Sequence, residues 1–424
     1  MYAGYVILVL VLFLGTTIFQ ITISVLNYKN RFQTLPESVS DVYEEKKYKN
    51  WLSYFMDNFK FQTLQSVLNT IFILILLVTG FFPFIYGLTN ELTSSVEVMT
   101  LLFVFVYFLL SFITESFFSY YQLFTIEEKY GFNKTTKKTF FLDKLKGFLL
   151  SIILGGGLLY LICILFASVG FMFYLYVYLI LSTITVLINL LYVKLFVPIF
   201  NKLKPLEEGP LKEEIMSFAK SVGYEINKIS VIDASKRSSK LNAYFTGFGK
   251  MKQIVLYDTL IEKMTVEEIV AVLAHEIGHN KHKHIISGLI QSLVVLAGYV
   301  FALYFILNIE GFYLAFGFDQ IFLGFGLILF LLLLSPLEVL LGFLFNYISR
   351  VHEYQADLYS AKHYSGKAMV SALKNIARNN FSNLTPHPSY VKLTYSHPPI
   401  PDRIKAIEAI YPRVVENAEI EDNA

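Results

Sequence analysis

The sequence predicts a mostly α-helical membrane protein with seven transmembrane helices and a cytoplasmic α+β portion. Three observations carry that prediction. Charged residues make up 16% of the 424 and apolar residues 55%, against about 25% charged in an average soluble chain. Uncharged stretches long enough for the roughly 20-residue crossing of a bilayer recur along the chain. All 35 Lys and Arg fall in alternate connections between those stretches. The 40 Phe and 29 Tyr add apolar surface that so few charges would leave uncovered in water. A single cysteine, Cys163, excludes a disulfide scaffold. A net charge of +2 without an Arg-rich stripe excludes a nucleic-acid partner.

Taken in order, the first span covers 2–26. It lacks a basic start and is too long for the h-region of a cleaved signal peptide, so it is expected to stay. Spans at 64–88 and 98–124 follow, the latter running on past Glu115. The uncharged stretch 147–193 is too long for one helix and divides into 147–168 and 171–195 around a tight turn at 168–170. The last two spans lie at 285–309 and 320–349. Six basic residues fall in 27–60, six in 124–146, fourteen in 194–283 and nine in 350–424, while 89–97, 169–170 and 310–319 carry none. The excess of Lys and Arg on the cytoplasmic side then places the N-terminus outside and all four basic segments inside. The expected organisation is five spans with two basic loops (1–195), a folded cytoplasmic segment (196–284), two more spans (285–349), a second cytoplasmic segment (350–412) and an acidic tail (413–424).

Within 196–284 a helical pattern at 211–222 precedes strand-like runs at 229–232, 241–245 and 253–257. A second helix opens at Thr265, which forms a Thr-x-x-Glu capping box with Glu268 before the apolar run 269–274. The segment 350–412 reads as helices broken by the Pro-rich turn 397–401. Inside the spans stand Gln65, Asn69, Glu115, Asn189, Gln291 and Glu338. Such groups face a bundle interior or water-filled space, or bond one helix to another.

The capped helix carries His275-Glu276-Ile277-Gly278-His279. Two His at i and i+4 project from one helix face and can reach one metal ion, and the adjacent Glu is placed to act as general base on an attacking water. A hydrolytic zinc site needs three protein ligands and an open position. His282 lies another turn along, about 10 Å from residue 275 on a rigid helix, and His284 is expected to project elsewhere. The extended metzincin spacing would need Gly at 282 and His at 285, where the chain has His282 and Ile285. A carboxylate from another element remains. The best segment is Arg350-Val351-His352-Glu353-Tyr354-Gln355-Ala356-Asp357, in which Glu353 and Asp357 share one helix face. Glu353 can bind the metal while Asp357 accepts the N–H of a ligating His.

At this point the chain resembles the seven-span zinc metalloproteases that process prenylated CAAX proteins, the Ste24 type of the M48 peptidases. The resemblance covers nearly the whole chain. It rests on Ile126-Glu127-Glu128-Lys129-Tyr130-Gly131-Phe132-Asn133-Lys134, on Asn242-Ala243-Tyr244-Phe245-Thr246-Gly247-Phe248-Gly249, on Glu353 through Asp357, and on Ser396-His397-Pro398-Pro399 with Arg403. It implies a ring of seven helices around an aqueous chamber and a cytoplasmic zincin-like α+β metalloprotease domain holding one Zn2+ per chain. His275, His279 and Glu353 match the family's zinc ligands, and Glu276 its catalytic glutamate. Asp357 matches a residue behind the ligands or a proton donor, and His397 a histidine that stabilises the tetrahedral intermediate. Asn242, Ala243 and Tyr244 match an edge strand on which substrate backbone pairs, and Arg403, supporting the His397 loop, is grouped with them as substrate-binding. The implied partners are a peptide or lipidated-protein substrate and the bilayer, with no obligate protein partner. The implied setting is the cytoplasmic membrane of a bacterium or the endoplasmic reticulum of a eukaryote, with the site on the cytoplasmic side. Two other readings compete. An HtpX-type quality-control protease has fewer spans and lacks the 126–134 loop. A transporter or channel with a structural zinc would need a fourth ligand, and Cys163 sits too deep in a span to supply it.

Overall fold

The computed structural model describes residues 2–226, 228–246 and 253–410. The acidic tail 413–424 and the 247–249 portion of the Asn242 motif lie outside the described residues. Seven helices among the described residues are long and apolar enough to cross a bilayer, within Ala3–Phe32, Glu45–Val78, Val96–Glu127, Lys137–Ser168, Met172–Phe200, His284–Asn308 and Leu323–Asn380. They coincide with the seven spans read from hydropathy. Phe117 and Leu340 on these helices are 70% exposed or more, a surface that suits lipid rather than water.

Two local differences have clear backbone causes. The second span does not run through to 88. It stops at Val78, Gly80 takes a left-handed φ of 74°, and a separate helix Phe81–Leu92 follows, since glycine adopts that conformation without a Cβ clash. The last span does not end where charges begin at Arg350. Its helix continues unbroken from Leu323 to Ser360, because leaving the bilayer removes no intrahelical hydrogen bond. Glu353 and Asp357 are therefore carried by the transmembrane helix itself.

The segment after the fifth span folds into a four-stranded sheet in the order β1-β2-β4-β3, with β1 Leu203–Pro205, β2 Ile229–Ile232, β3 Ala243–Thr246 and β4 Gln253–Tyr257. The β2–β4 pair is parallel and the other two pairs are antiparallel. The sequence reading missed β1, whose three residues Leu-Lys-Pro carry no alternation. Among the described residues strand β3 lies at one edge, beside β4. Lys240, just before it, is tied to Glu127 of the second basic loop at 3.0 Å and to the Tyr54 hydroxyl on helix Glu45–Val78 at 3.0 Å. This contact explains how residues 126–134, distant in sequence, help to locate the edge strand.

Helix Val266–Lys281 packs against Leu323–Ser360, Gly366–Asn380 and Pro210–Ser221. Its N-terminus is closed by the expected capping box between Thr265 and Glu268. Glu268 also accepts hydrogen bonds from Ser371 at 2.6 Å and Asn375 at 3.0 Å, which couple the cap to helix Gly366–Asn380. Among the polar groups of the spans, Gln65 donates to Glu115 across two helices at 3.2 Å. Asn189 and Gln291 bond within their own helices. Asn69 and Glu115 also line a cavity of about 170 Å³ between spans.

Candidate metal centre

The capped helix delivers His275 and His279 with their Nε2 atoms 3.1 Å apart. Helix Leu323–Ser360 brings Glu353 against both: Oε2 lies 3.6 Å from His275 Nε2 and Oε1 lies 3.2 Å from His279 Nε2. Two ligands held tetrahedrally about a zinc ion, at its usual bond lengths of roughly 2.0–2.1 Å, sit about 3.3 Å apart. The three separations bracket that value. Glu353 Oε2 is buried without a hydrogen-bond donor, and Arg403 Nη1 stands off from it at 3.4 Å. A buried carboxylate oxygen left in this way, beside two converging imidazole nitrogens, fits a divalent cation. Among the described residues these three form the group able to hold one. His282 is not part of it, since the helix ends at Lys281 and His282 is its C-cap.

The surrounding groups set the imidazole tautomers. His275 Nδ1 lies 2.9 Å from Asp357 Oδ1, close in distance although bent away from good hydrogen-bond geometry. Asp357 is fully buried and receives Arg403 bidentately, at 2.7 and 2.6 Å. Burial opposes a charge on His275, but the contact with Asp357 outweighs it and raises the pKa above the ordinary imidazole value. Burial likewise opposes the Arg403 charge, and the carboxylates of Asp357, Glu353 and Glu276 hold the guanidinium protonated well above its ordinary range. Arg403 is thus buried behind the ligands with its guanidinium committed to Asp357.

His284 differs from expectation. It does not project elsewhere: its Nδ1 is 2.9 Å from His279 Nδ1, and its Nε2 is 2.8 Å from Gln355 Oε1. Lys283 adopts φ 59°, and this left-handed residue ends one helix and starts the next at His284. A projection from one continuous helix cannot foresee that turn.

Gly278 was also missed, as one of the two unspecified positions between the histidines. A Cβ there would meet Tyr359 Cβ at 2.9 Å and Ala356 Cα at 3.1 Å, so glycine sets how closely the two ligand-bearing helices approach. Gly278→Ala gains about 1 kcal/mol of helix propensity but loses about 1–3 kcal/mol to overpacking. The obstructing atoms are a backbone atom and a Cβ, so overpacking should win. The expected result is a lower melting temperature together with faster zinc loss to a chelator; unchanged values for both would show that the helices part freely.

Glu276 is half-buried and lines a cavity of about 460 Å³ together with His275, Glu353, His397, Arg403, Asn242 and Ala243. His397, on the loop before helix Ile400–Glu408, has its Nε2 3.3 Å from Glu353 Oε1 and a side chain 64% exposed. Tyr244, the next residue along β3, lines a separate cavity of about 670 Å³ with Tyr192, Phe196 and Tyr257, as strand alternation requires. The cavity lined by His275, Glu276 and Glu353 therefore meets the start of the edge strand at Asn242 and Ala243.

Comparison with known proteins agrees with this geometry. Residues 24–202 match the family described as CAAX prenyl protease N-terminal, five membrane helices, and residues 205–411 match peptidase family M48. The chain is 34% identical over 390 residues to the CAAX prenyl protease 1 homolog of Oryza sativa subsp. japonica, which covers 89% of this chain and 91% of that protein. It is also 34% identical over 403 residues to CAAX prenyl protease 1 of Saccharomyces cerevisiae, covering 89% of each. The crystal structure of S. mikatae Ste24p is similar with a TM-score of 0.89 at 32% identity, covering 95% of this chain and 99% of that one.

Proposed function

The chain belongs to the Ste24 type of peptidase family M48 and is a multi-pass membrane zinc metalloprotease, and on that premise we propose that it cleaves C-terminal tripeptides from prenylated CAAX-type proteins or peptides at the cytoplasmic face of its membrane. The observation that carries this reading is the shared cavity, in which His275 and Glu353 of the three-residue metal group, Glu276 and the β3 edge at Asn242 and Ala243 meet. The cytoplasmic placement is supported by the confinement of all 35 basic residues to alternate connections. The segment 196–284 together with 350–412 forms the catalytic portion, since each supplies part of the ligand set.

His275, His279 and Glu353 would hold the ion, leaving one position open. When bound, zinc supplies Lewis-acid polarisation of a carbonyl and acidifies water at neutral pH. Glu276 takes the proton of the attacking water and returns it to the leaving amine. The edge of β3 at Asn242–Tyr244 accepts the substrate as an added strand, so main-chain hydrogen bonds give affinity tolerant of sequence. Asp357 orients His275, and Arg403 balances the charge of Asp357. His397 donates from Nε2 to the oxyanion that develops on the carbonyl.

His397→Ala should therefore lower kcat by roughly 10²–10³, the scale of one lost oxyanion donor, with little change in KM. If His397 merely packed the C-terminal segment, the folded, zinc-replete variant would keep kcat within a few-fold of wild type.

The proposed activity is tested by incubating purified protein with a farnesylated CAAX peptide and its unmodified counterpart, with and without chelator. Release of the tripeptide from the prenylated peptide, lost on chelation and restored by zinc, is the expected result. Cleavage of unfolded membrane proteins with no turnover of the prenylated peptide would overturn it in favour of quality control.

A further inference from the structure

We propose that His284 and Gln355 are positioning residues that hold His279 in its metal-binding tautomer, an inference that rests on the zinc-ligand reading above. The observation is a continuous chain of contacts: His279 Nδ1 to His284 Nδ1 at 2.9 Å, and His284 Nε2 to Gln355 Oε1 at 2.8 Å.

The chain can carry protons in two ways, and only one suits a metal. A neutral imidazole has one N–H and one lone pair. For His279 to offer Nε2 to an ion, its proton must sit on Nδ1, which then donates to His284 Nδ1. His284 must accept there, so its own proton sits on Nε2 and needs an acceptor. Gln355 Oε1 stands at that point. In the reverse polarity the Gln355 amide nitrogen would donate, His284 would pass its proton toward His279, and His279 Nε2 would carry hydrogen and be unable to bind. Binding through His279 Nε2 requires the first arrangement, and the Gln355 amide, standing 2.8 Å from His284 Nε2, can present the acceptor that completes it. Each helix-borne ligand thus has its own partner behind it: Asp357 behind His275 and the His284–Gln355 pair behind His279.

The surroundings hold this pair in place. His284 is buried, with 8% of its surface exposed. Its ring stacks on His352 at 4.0 Å and 10°, and on His282 at 5.4 Å and 14°. The left-handed Lys283 brings it back against His279, a conformation uncommon for a residue with a side chain and sustained only where the surroundings require it. Gln355 comes from the helix that also carries Glu353. One helix therefore supplies the third ligand and fixes the tautomer of the second. Of the two histidines discounted as ligands, His284 acquires a role as the support of one, with His282 stacked beside it.

The test compares Gln355→Met with Gln355→Glu in the full-length, zinc-loaded protein, following zinc transfer to a colorimetric chelator and the visible absorption of the Co2+-substituted form. Gln355 is exposed, so neither change should unfold the chain. Methionine keeps the length and removes the acceptor; glutamate keeps an acceptor oxygen. Gln355→Met should speed zinc release roughly 10–100-fold, the usual effect of losing a partner behind a metal ligand, and alter the cobalt spectrum. Gln355→Glu should stay within a few-fold of wild type. His284→Phe keeps the ring stack without its nitrogens and should resemble Gln355→Met. Normal zinc content with equal release rates from the Met, Glu and wild-type proteins would overturn the tautomer role alone. A wild-type protein that binds no zinc would overturn the ligand reading, and this inference with it.

Discussion

Glu276→Gln should lower peptide cleavage by roughly 10²–10⁴, the usual contribution of a positioned acid–base group, while zinc content stays near one per chain. Glu276 is separate from the three residues able to hold the ion, yet it lines the same cavity and its charge is felt by Arg403. Glutamine preserves size and polarity but cannot accept and return a proton at neutral pH. The loss should appear in kcat and kcat/KM alike, because proton transfer occurs only in the transition state. Single-turnover kinetics on protein with quantified zinc separates this from impaired product release. Turnover near the wild-type rate would remove Glu276 from the proton-transfer role.

The features legible in the sequence were those whose signal is local. The capping box at Thr265 and the His pair at 275 and 279 depend on spacings of three and four residues, which a helix turns directly into contacts. Spans are legible for a similar reason, since a bilayer imposes length and apolarity on each segment separately. Charge, however, marks where lipid ends and not where a helix ends. Charge therefore ends the last span at 349 in the sequence, although its helix continues to Ser360. Contacts set by backbone turns were also hidden. His284 reaches His279 because Lys283 is left-handed, and nothing in the side-chain pattern announces that conformation. Arg403 lies 46 residues from Asp357, and its burial behind the ligands depends on how helix Ile400–Glu408 docks. Gly278 is legible only once the packing partner is known, because its importance lies in the Cβ it lacks.

Glu353→Ala should lose zinc and activity together, whereas His282→Ala should keep both. Two imidazoles alone leave the ion short of the three protein ligands of a hydrolytic site, so the alanine variant should hold zinc too weakly to survive purification. The fold should withstand the change. Removing one partner of a buried ion pair is strongly destabilising, by about 3–5 kcal/mol, when the remaining charge is left uncompensated. Here Arg403 keeps its bidentate contacts with Asp357, and the Glu353 contact at 3.4 Å is the longer one. Asp357→Ala, by contrast, removes the main counter-charge of a buried guanidinium and should destabilise the protein by about that amount. The pair thus separates ligation from folding: one variant empties the site in a folded protein, and the other weakens the fold around it. Metal analysis and thermal melting on the three variants read this directly. Zinc retained by Glu353→Ala and lost from His282→Ala would reverse the ligand assignment, because His282 caps the helix end and only a different course of the chain after Lys281 could bring it to the ion.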